Sequence, residues 1–231
     1  MKALLYKEFK LAMHPICYVF IAMFPFMILI PSYPIAIGFL YVLTCYPILF
    51  LGANKGQQSN DLLYSTLLPI RKKDIVKARI MTVLFMHLVF IALTSALCPV
   101  AMIINSNITE AALAEDPNAT PIVNAGLGLQ SYVLVLAIVI IGYAIADLIF
   151  FPIYYKKGKS IVMSTLLMII GFVVYLGVFT IALPYIPGLE FFNELPLWVQ
   201  FIALAVSIAV YAALHIVVYK VSSKRLEKVD F

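Results

Sequence analysis

Six apolar runs, each about as long as the hydrocarbon core of a membrane requires, constrain this chain more than any other feature. A transmembrane helix needs about 20 predominantly apolar residues. Charged residues make up only 12% of the composition, too few to coat a soluble fold, since soluble domains contain about 25%. The sequence therefore predicts an all-α integral membrane protein, a single domain with six transmembrane helices, and excludes a soluble enzyme. The predicted spans are residues 15–30, 35–53, 78–104, 131–152, 160–183 and 197–219 of the 231-residue chain.

The positions of the basic residues predict which side of the membrane each connection occupies. All 16 lysines and arginines lie before the first run, between the second and third as far as Arg79, between the fourth and fifth, or after the sixth. Because basic connections stay in the cytoplasm, both termini are predicted to be cytoplasmic in a multi-pass protein of the plasma membrane. The other connections carry acids and no base: Glu110, Glu115, Asp116, Glu190 and Glu194.

The segment 1–14, before the first run, is amphipathic. Leu4, Leu5 and Phe9 recur at helical spacing, while Lys7 and Lys10 can face water and lipid phosphates. Such a helix lies in the plane of the interface as an elbow before the first span. It serves either as a topology anchor alone or also as a contact for a cytoplasmic partner, and both readings stay open.

The connection 54–77 contains a second short amphipathic helix. Ser59 or Asn60 can cap its N-terminus, Asp61 is favourable there, and Pro69 ends it. A helix of this kind, parallel to the membrane, suits docking into a groove of another protein. The alternative is a solvated loop whose leucines rest on the bilayer. The candidate docking residues are Asn60, Asp61, Leu62, Leu63, Tyr64, Ser65, Leu67, Leu68, Pro69 and Arg71.

Three stretches of the cytoplasmic part resemble a known family. They are residues 2–9 (Lys-Ala-Leu-Leu-Tyr-Lys-Glu-Phe), 61–71 (Asp-Leu-Leu-Tyr-Ser-Thr-Leu-Leu-Pro-Ile-Arg) and 74–79 (Asp-Ile-Val-Lys-Ala-Arg). With the six runs, they resemble the small permeases of the ABC-2 export family, and most closely those of the phenol-soluble modulin transporter group. In that family a leucine-proline-x-arginine stretch, here residues 68–71, follows the coupling helix between the second and third spans.

The resemblance implies the permease subunit of an ATP-binding cassette exporter, of bacterial origin. Two copies, or one copy and a paralogue, would pair around a path for amphipathic or antimicrobial-type peptides or lipid-like molecules. A separate cytoplasmic ATPase subunit would bind the coupling helix through the docking residues and would carry the ATP and Mg²⁺. The chain has no G-x-x-x-x-G-K-[ST] motif, so no cofactor of its own is expected. Membrane lipids are further expected partners, and nucleic acid is not.

Asp147 is the one carboxylate well inside a predicted span; His215 is expected at similar depth on the sixth span and His87 somewhat deeper on the third. Ionisable groups within a membrane mark functional sites by default, so these three are candidates for the transport path. The alternative is that Asp147 is an interfacial residue that reaches headgroup water or Lys156.

The same residues bear on two other functions. An ion- or proton-coupled secondary transporter or channel that uses Asp147 is the alternative to an exporter, but its path needs polar residues at several mid-membrane positions, and the spans are mostly Leu, Ile, Val, Ala and Phe. An intramembrane enzyme needs a nucleophile with its base, or a metal set. The cysteines and histidines have no such spacing, so we expect no catalytic or metal site.

Overall fold

The computed structural model describes residues 2–12, 15–29, 65, 69–115, 132–157, 161–182 and 195–229. The elements within these ranges are helices. They are α1 (Lys2–Lys7, continued by a π-helical turn, Glu8–Ala12), α2 (Pro15–Met23, continued by a 3₁₀ segment, Phe24–Leu29), α3 (Lys72–Glu115), α4 (Tyr132–Lys157), α5 (Ile161–Leu176, continued by a π-helical turn, Gly177–Ala182) and α6 (Leu197–Glu227).

Four helices in the described part of the chain are long and apolar enough to cross a membrane. They contain the stretches Lys72–Ala101, Leu136–Lys156, Ile161–Phe179 and Leu197–Glu227, and a shorter apolar helix covers Ile16–Phe26. The prediction of an all-helical membrane protein is confirmed at this level. The count of six spans stays a prediction, since the expected second span, 35–53, lies outside the described residues, as does most of the expected coupling loop, 54–77.

Helix α3 is longer than the span predicted within it. It begins at Lys72, before the predicted 78, and ends at Glu115, beyond the predicted 104. Its start follows a bend at residues 69–70, where the amide of Asp74 donates to the carbonyl of Arg71 at 2.9 Å. The extension past residue 104 contains neither glycine nor proline and includes good helix formers such as alanine and glutamate. The polar residues 105–115 are therefore helical, although their composition suggested an irregular loop.

Helix α4 is the centre of the packing. It contacts both α5 and α6, and 67% of its apolar span is buried, against 28% for α5 and 17% for α6. Glycines allow α4 and α5 to approach closely, as small residues do between membrane helices. A Cβ at Gly142 of α4 would lie 2.8 Å from the ring of Phe172, and one at Gly171 of α5 would lie 2.5 Å from Cδ1 of Ile149.

Helix α6 has one face toward the protein and one away from it. His215, Val218 and Ser222 are buried at helical spacing, whereas Val206 and Val217 lie on the opposite, exposed face. The helix has 31 residues, which at 1.5 Å per residue is about 46 Å. Because the hydrocarbon core is about 30 Å thick, α6 must extend beyond it.

The start of α3 lies close to the ends of α4 and α6, in a region that we call the basic end. Lys72 Nζ, at the start of α3, donates to the carbonyl of Val229 at 2.9 Å, just after α6. Arg225 Nη1, near the end of α6, donates to the carbonyl of Pro152 on α4 at 2.6 Å. The start of α3 and the ends of α4 and α6 therefore share one side, as the charge pattern of the sequence requires.

Candidate functional site

The three ionisable residues that the sequence places within spans come together in the structure. His215 Nε2 on α6 lies 2.7 Å from Asp147 Oδ2 on α4, at hydrogen-bond distance. His87 Nδ1 on α3 lies 3.9 Å from the same carboxylate oxygen. The Asp147 side chain is 0% exposed and does not reach headgroup water. Their part in transport stays a prediction, but their side chains now form one cluster that joins three helices.

Tyr211 completes this cluster, and sequence reasoning missed it. Its hydroxyl lies 3.0 Å from His87 Nδ1, and its backbone carbonyl lies 2.8 Å from His215 Nδ1. Tyr143 of α4 stacks on the His87 ring with centroids 4.2 Å apart. The signal that was available is spacing: Tyr211 precedes His215 by four residues and Tyr143 precedes Asp147 by four, so each pair shares a helix face.

The hydrogen bonds of His215 require a proton in its contact with Asp147. A backbone carbonyl can only accept, so His215 Nδ1 must donate to Tyr211 O. The contact between His215 Nε2 and Asp147 Oδ2 then needs one further proton, carried by either atom. With that proton on nitrogen the pair is an imidazolium and a carboxylate; with it on oxygen both groups are neutral. The net charge is zero in both cases, which reduces the cost of burying the pair in an apolar interior.

A second buried polar cluster lies at the basic end and joins α1 to α3 and α4. Arg79 Nε donates to Glu8 Oε2 at 3.0 Å and Nη2 to Glu8 Oε1 at 3.4 Å, in a forked arrangement. Arg79 Nη1 donates to the hydroxyl of Tyr154 at 3.0 Å. Both charged side chains are more than nine-tenths buried. From the sequence, Arg79 was interpreted only as a topology signal. Glu8 is the single acid of segment 1–14 and could have been identified as a candidate partner.

The two clusters are stacked along the same helices. Arg79 precedes His87 by eight residues on α3, and Tyr154 follows Asp147 by seven on α4. At 1.5 Å per residue the Asp147 cluster lies about 10–12 Å from the Arg79 cluster along the helix axes. Residues 80–86 of α3 and 148–153 of α4 lie between them.

Of the ten predicted docking residues, three lie in the described part of the chain. Ser65 is buried and accepts a hydrogen bond from Nζ of Lys7, so the predicted coupling loop contacts the N-terminal segment. Pro69 and Arg71 are exposed just before α3. The remaining seven lie outside the described residues: Asn60, Asp61, Leu62, Leu63, Tyr64, Leu67 and Leu68. Among the described residues, no three His, Cys, Asp or Glu side chains group in a way that could hold a metal ion.

The fold and these clusters define a multi-pass helical membrane protein whose N-terminal segment is joined to its membrane helices at a basic end. A protein-family model described as ABC-2 family transporter protein matches residues 3–222. The chain therefore belongs to the ABC-2 transporter family, and it is a permease subunit of an ABC transporter. No curated protein and no solved structure matches it.

Proposed function

We propose that this chain is the membrane-spanning permease of an ATP-binding cassette exporter, driven by a separate cytoplasmic ATPase subunit that docks at loop 54–77. Family membership implies association with an ABC ATPase, and the chain carries no phosphate-binding motif of its own. Two permease subunits enclose the path. Amphipathic or antimicrobial-type peptides, or lipid-like molecules, are the proposed cargo, because the chain resembles permeases that export them.

The observation that carries the proposal is the chain of contacts from the loop to the membrane helices. Ser65 of the loop is held by Lys7, and the next residue, Glu8, pairs with Arg79 on α3. Arg79 in turn holds Tyr154 on α4. A displacement of the loop by a docked ATPase would thus act on the inner ends of two membrane helices through buried, charge-assisted hydrogen bonds.

The test is whether the chain copurifies with a Walker-type ATPase and stimulates its ATP hydrolysis. Leu63→Asp and Arg71→Glu should abolish assembly without preventing membrane insertion. Lys156→Glu is the matched control, since it reverses an exposed charge on α4 near the basic end but outside the loop. Full ATPase binding by both loop variants would refute the docking site, and a purified chain that transports with no ATPase would refute the exporter.

A second function has one specific observation in its favour. The buried Asp147–His215 pair is of the kind that proton-coupled transporters use as a proton site. In that case the purified chain, reconstituted alone into vesicles, would move solute on a proton gradient without ATP. Transport that requires the ATPase and ATP decides for the exporter.

A further inference from the structure

The Asp147 cluster contains a fully buried carboxylate on a membrane helix, and neither the docking loop nor the cargo accounts for it. We propose that Asp147 and His215 form a proton-binding site, and that this site exchanges its proton with water only when α6 moves away from α4. The proposal rests on the proposed function, because that movement belongs to the transport cycle of an exporter. It adds that the cycle includes one protonation step.

The first support is the proton count. The hydrogen bonds of His215 leave one shared proton between Nε2 and Asp147 Oδ2, so the assembled pair is neutral overall. Removing that proton leaves a net charge of −1, and adding a second leaves +1. Either charge, sealed in an apolar interior, is expensive. The closed arrangement of α4 and α6 therefore holds one proton and resists both gain and loss.

The second support is the seal around the pair. Asp147 is fully buried, His87 covers its other side from α3, and the His87 ring is itself covered by Tyr143. Beyond Tyr143, the ring of Phe172 on α5 stacks at 5.7 Å between centroids. Among the described residues, these stacked rings cover the carboxylate on the sides of α3 and α5.

The third support is the set of groups that face the pair. α3 contributes His87, α4 Tyr143 and α6 Tyr211, while the nearest titratable group of α5 is Tyr175, whose ring lies against Gly142. The nearest lysines and arginines along these helices are farther from the Asp147–His215 pair than these groups are. Arg79 is paired with Glu8, whereas Lys156 and Lys220 are exposed at the basic end, and α5 has no charged residue.

The fourth support concerns which helix moves. The apolar span of α4 is two-thirds buried between its neighbours, whereas that of α6 is only 17% buried and packs along one face. Apart from side-chain packing, α6 is held to α4 by the Asp147–His215 bond and, at the basic end, by Arg225 on Pro152. Moving α6 away from α4 therefore breaks one polar contact between these two helices within the membrane, the proton site, and with it the hydrogen bond of Tyr211 on α6 to His87 on α3.

The first experiment measures how the stability of the purified chain, in lipid nanodiscs, varies with pH. The unmodified chain should be most stable where the pair holds one proton. Toward acid the unfolded chain binds a second proton, and toward alkali it loses the first, while the closed pair keeps one, so each change should lower the folded-to-unfolded ratio by up to about tenfold per pH unit. Asp147→Asn keeps a donor for His215 but cannot share a proton, so it should remove the loss of stability toward alkali and change the shape of the profile.

Ser207→Ala is the matched control, because Ser207 is buried on the same helix, two turns from His215, and bonds only to its own helix at Ala203 O. It should keep the profile of the unmodified chain. If Asp147→Asn does not fold, His215→Gln provides the same comparison. Parallel pH profiles of the unmodified chain and the Asp147 or His215 variant would overturn the proposal.

The second experiment uses the complex with its ATPase, and follows ATP-driven transport across the same pH range. The unmodified complex should show a pH dependence that Asp147→Asn abolishes and Ser207→Ala retains. If the unmodified chain binds and stimulates no ATPase, the proposed function fails while the stability profiles still decide the proton site. If transport by Asp147→Asn follows pH as the unmodified complex does, the proton site fails while the exporter stands.

Discussion

Glu8 and Arg79 lie 71 residues apart in the chain, yet their side chains form a buried ion pair with Nε and Oε2 3.0 Å apart. The pair places an N-terminal segment that the sequence describes as lying on the membrane surface directly against the first turns of α3. Since the side chain of Arg79 also bonds Tyr154, a single guanidinium joins α1, α3 and α4.

Removing the carboxylate should destabilise the protein strongly. Glu8→Leu leaves Arg79 buried without its counter-ion, a change that costs about 3–5 kcal/mol in buried pairs. The double variant Glu8→Leu/Arg79→Met should recover part of this loss, because no uncompensated charge remains. Equilibrium unfolding in mixed micelles measures both, with Lys10→Gln, an exposed change in the same segment, as control. A Glu8→Leu protein as stable as the unmodified one would contradict the buried pair.

A salt bridge at the same end should behave in the opposite way. Lys73 and Glu227 lie 3.2 Å apart, but their side chains are 54% and 44% exposed. Solvent-exposed pairs contribute about 0–1 kcal/mol at most. Lys73→Gln should therefore change the free energy of unfolding by less than Glu8→Leu in the same assay. A loss as large as that of Glu8→Leu would show that Lys73 is not exposed in the assembled protein.

The hydroxyl of Tyr211 should contribute a modest, measurable amount. Tyr211→Phe removes the bond to His87 Nδ1 and keeps the backbone bond to His215, so we expect a loss of about 0.5–1.5 kcal/mol. Tyr6→Phe is the control, because the Tyr6 hydroxyl accepts from Lys10 on an exposed surface. Equal losses in the two variants would argue against the buried contact.

Three glycines provide a graded test of how closely α4 and α5 pack. Gly142→Ala places a methyl 2.8 Å from the buried ring of Phe172, so we expect a loss of about 1–3 kcal/mol. Gly171→Ala meets only the terminal Cδ1 of Ile149, which can rotate away, so the loss should be smaller. Gly177→Ala meets nothing within 4 Å and serves as control. Thermal unfolding should rank the three variants in this order, and the reverse order would rule out the packing.

The orientation of the basic end is open to direct labelling. In a chain whose native cysteines are replaced by alanine, Lys73→Cys and Lys228→Cys should react with a membrane-impermeant maleimide only after the cells are permeabilised. Pro196→Cys, at the other end of α6, should react in intact cells. Labelling of Lys73→Cys and Pro196→Cys from the same side would contradict the predicted topology. The native cysteines are Cys17, Cys45 and Cys98.

The sequence predicted that the protein is helical and that the basic segments lie on one side of the membrane. Both predictions follow from local properties, namely the length of the apolar runs and the positions of the charges. The contact of Lys72 with the carbonyl after α6 agrees with that sharing. The clusters were harder to predict. Asp147, His87 and His215 were recognisable because ionisable groups are rare in membrane spans. Tyr211 did not stand out in the same way, because a tyrosine is an ordinary residue in a membrane helix. The pairing of Glu8 with Arg79 depends on how α1 docks, and composition and periodicity carry no information about a contact 71 residues distant.

The distance along the chain between Asp147 and His215 has a consequence for biosynthesis. The two are 68 residues apart, so at about 5–20 residues per second His215 is made roughly 3–14 seconds after Asp147. During that interval α4 must enter the bilayer without the imidazole that later shares its proton. The contact that joins α4 to α6 within the membrane can therefore form only after the last helix has been made.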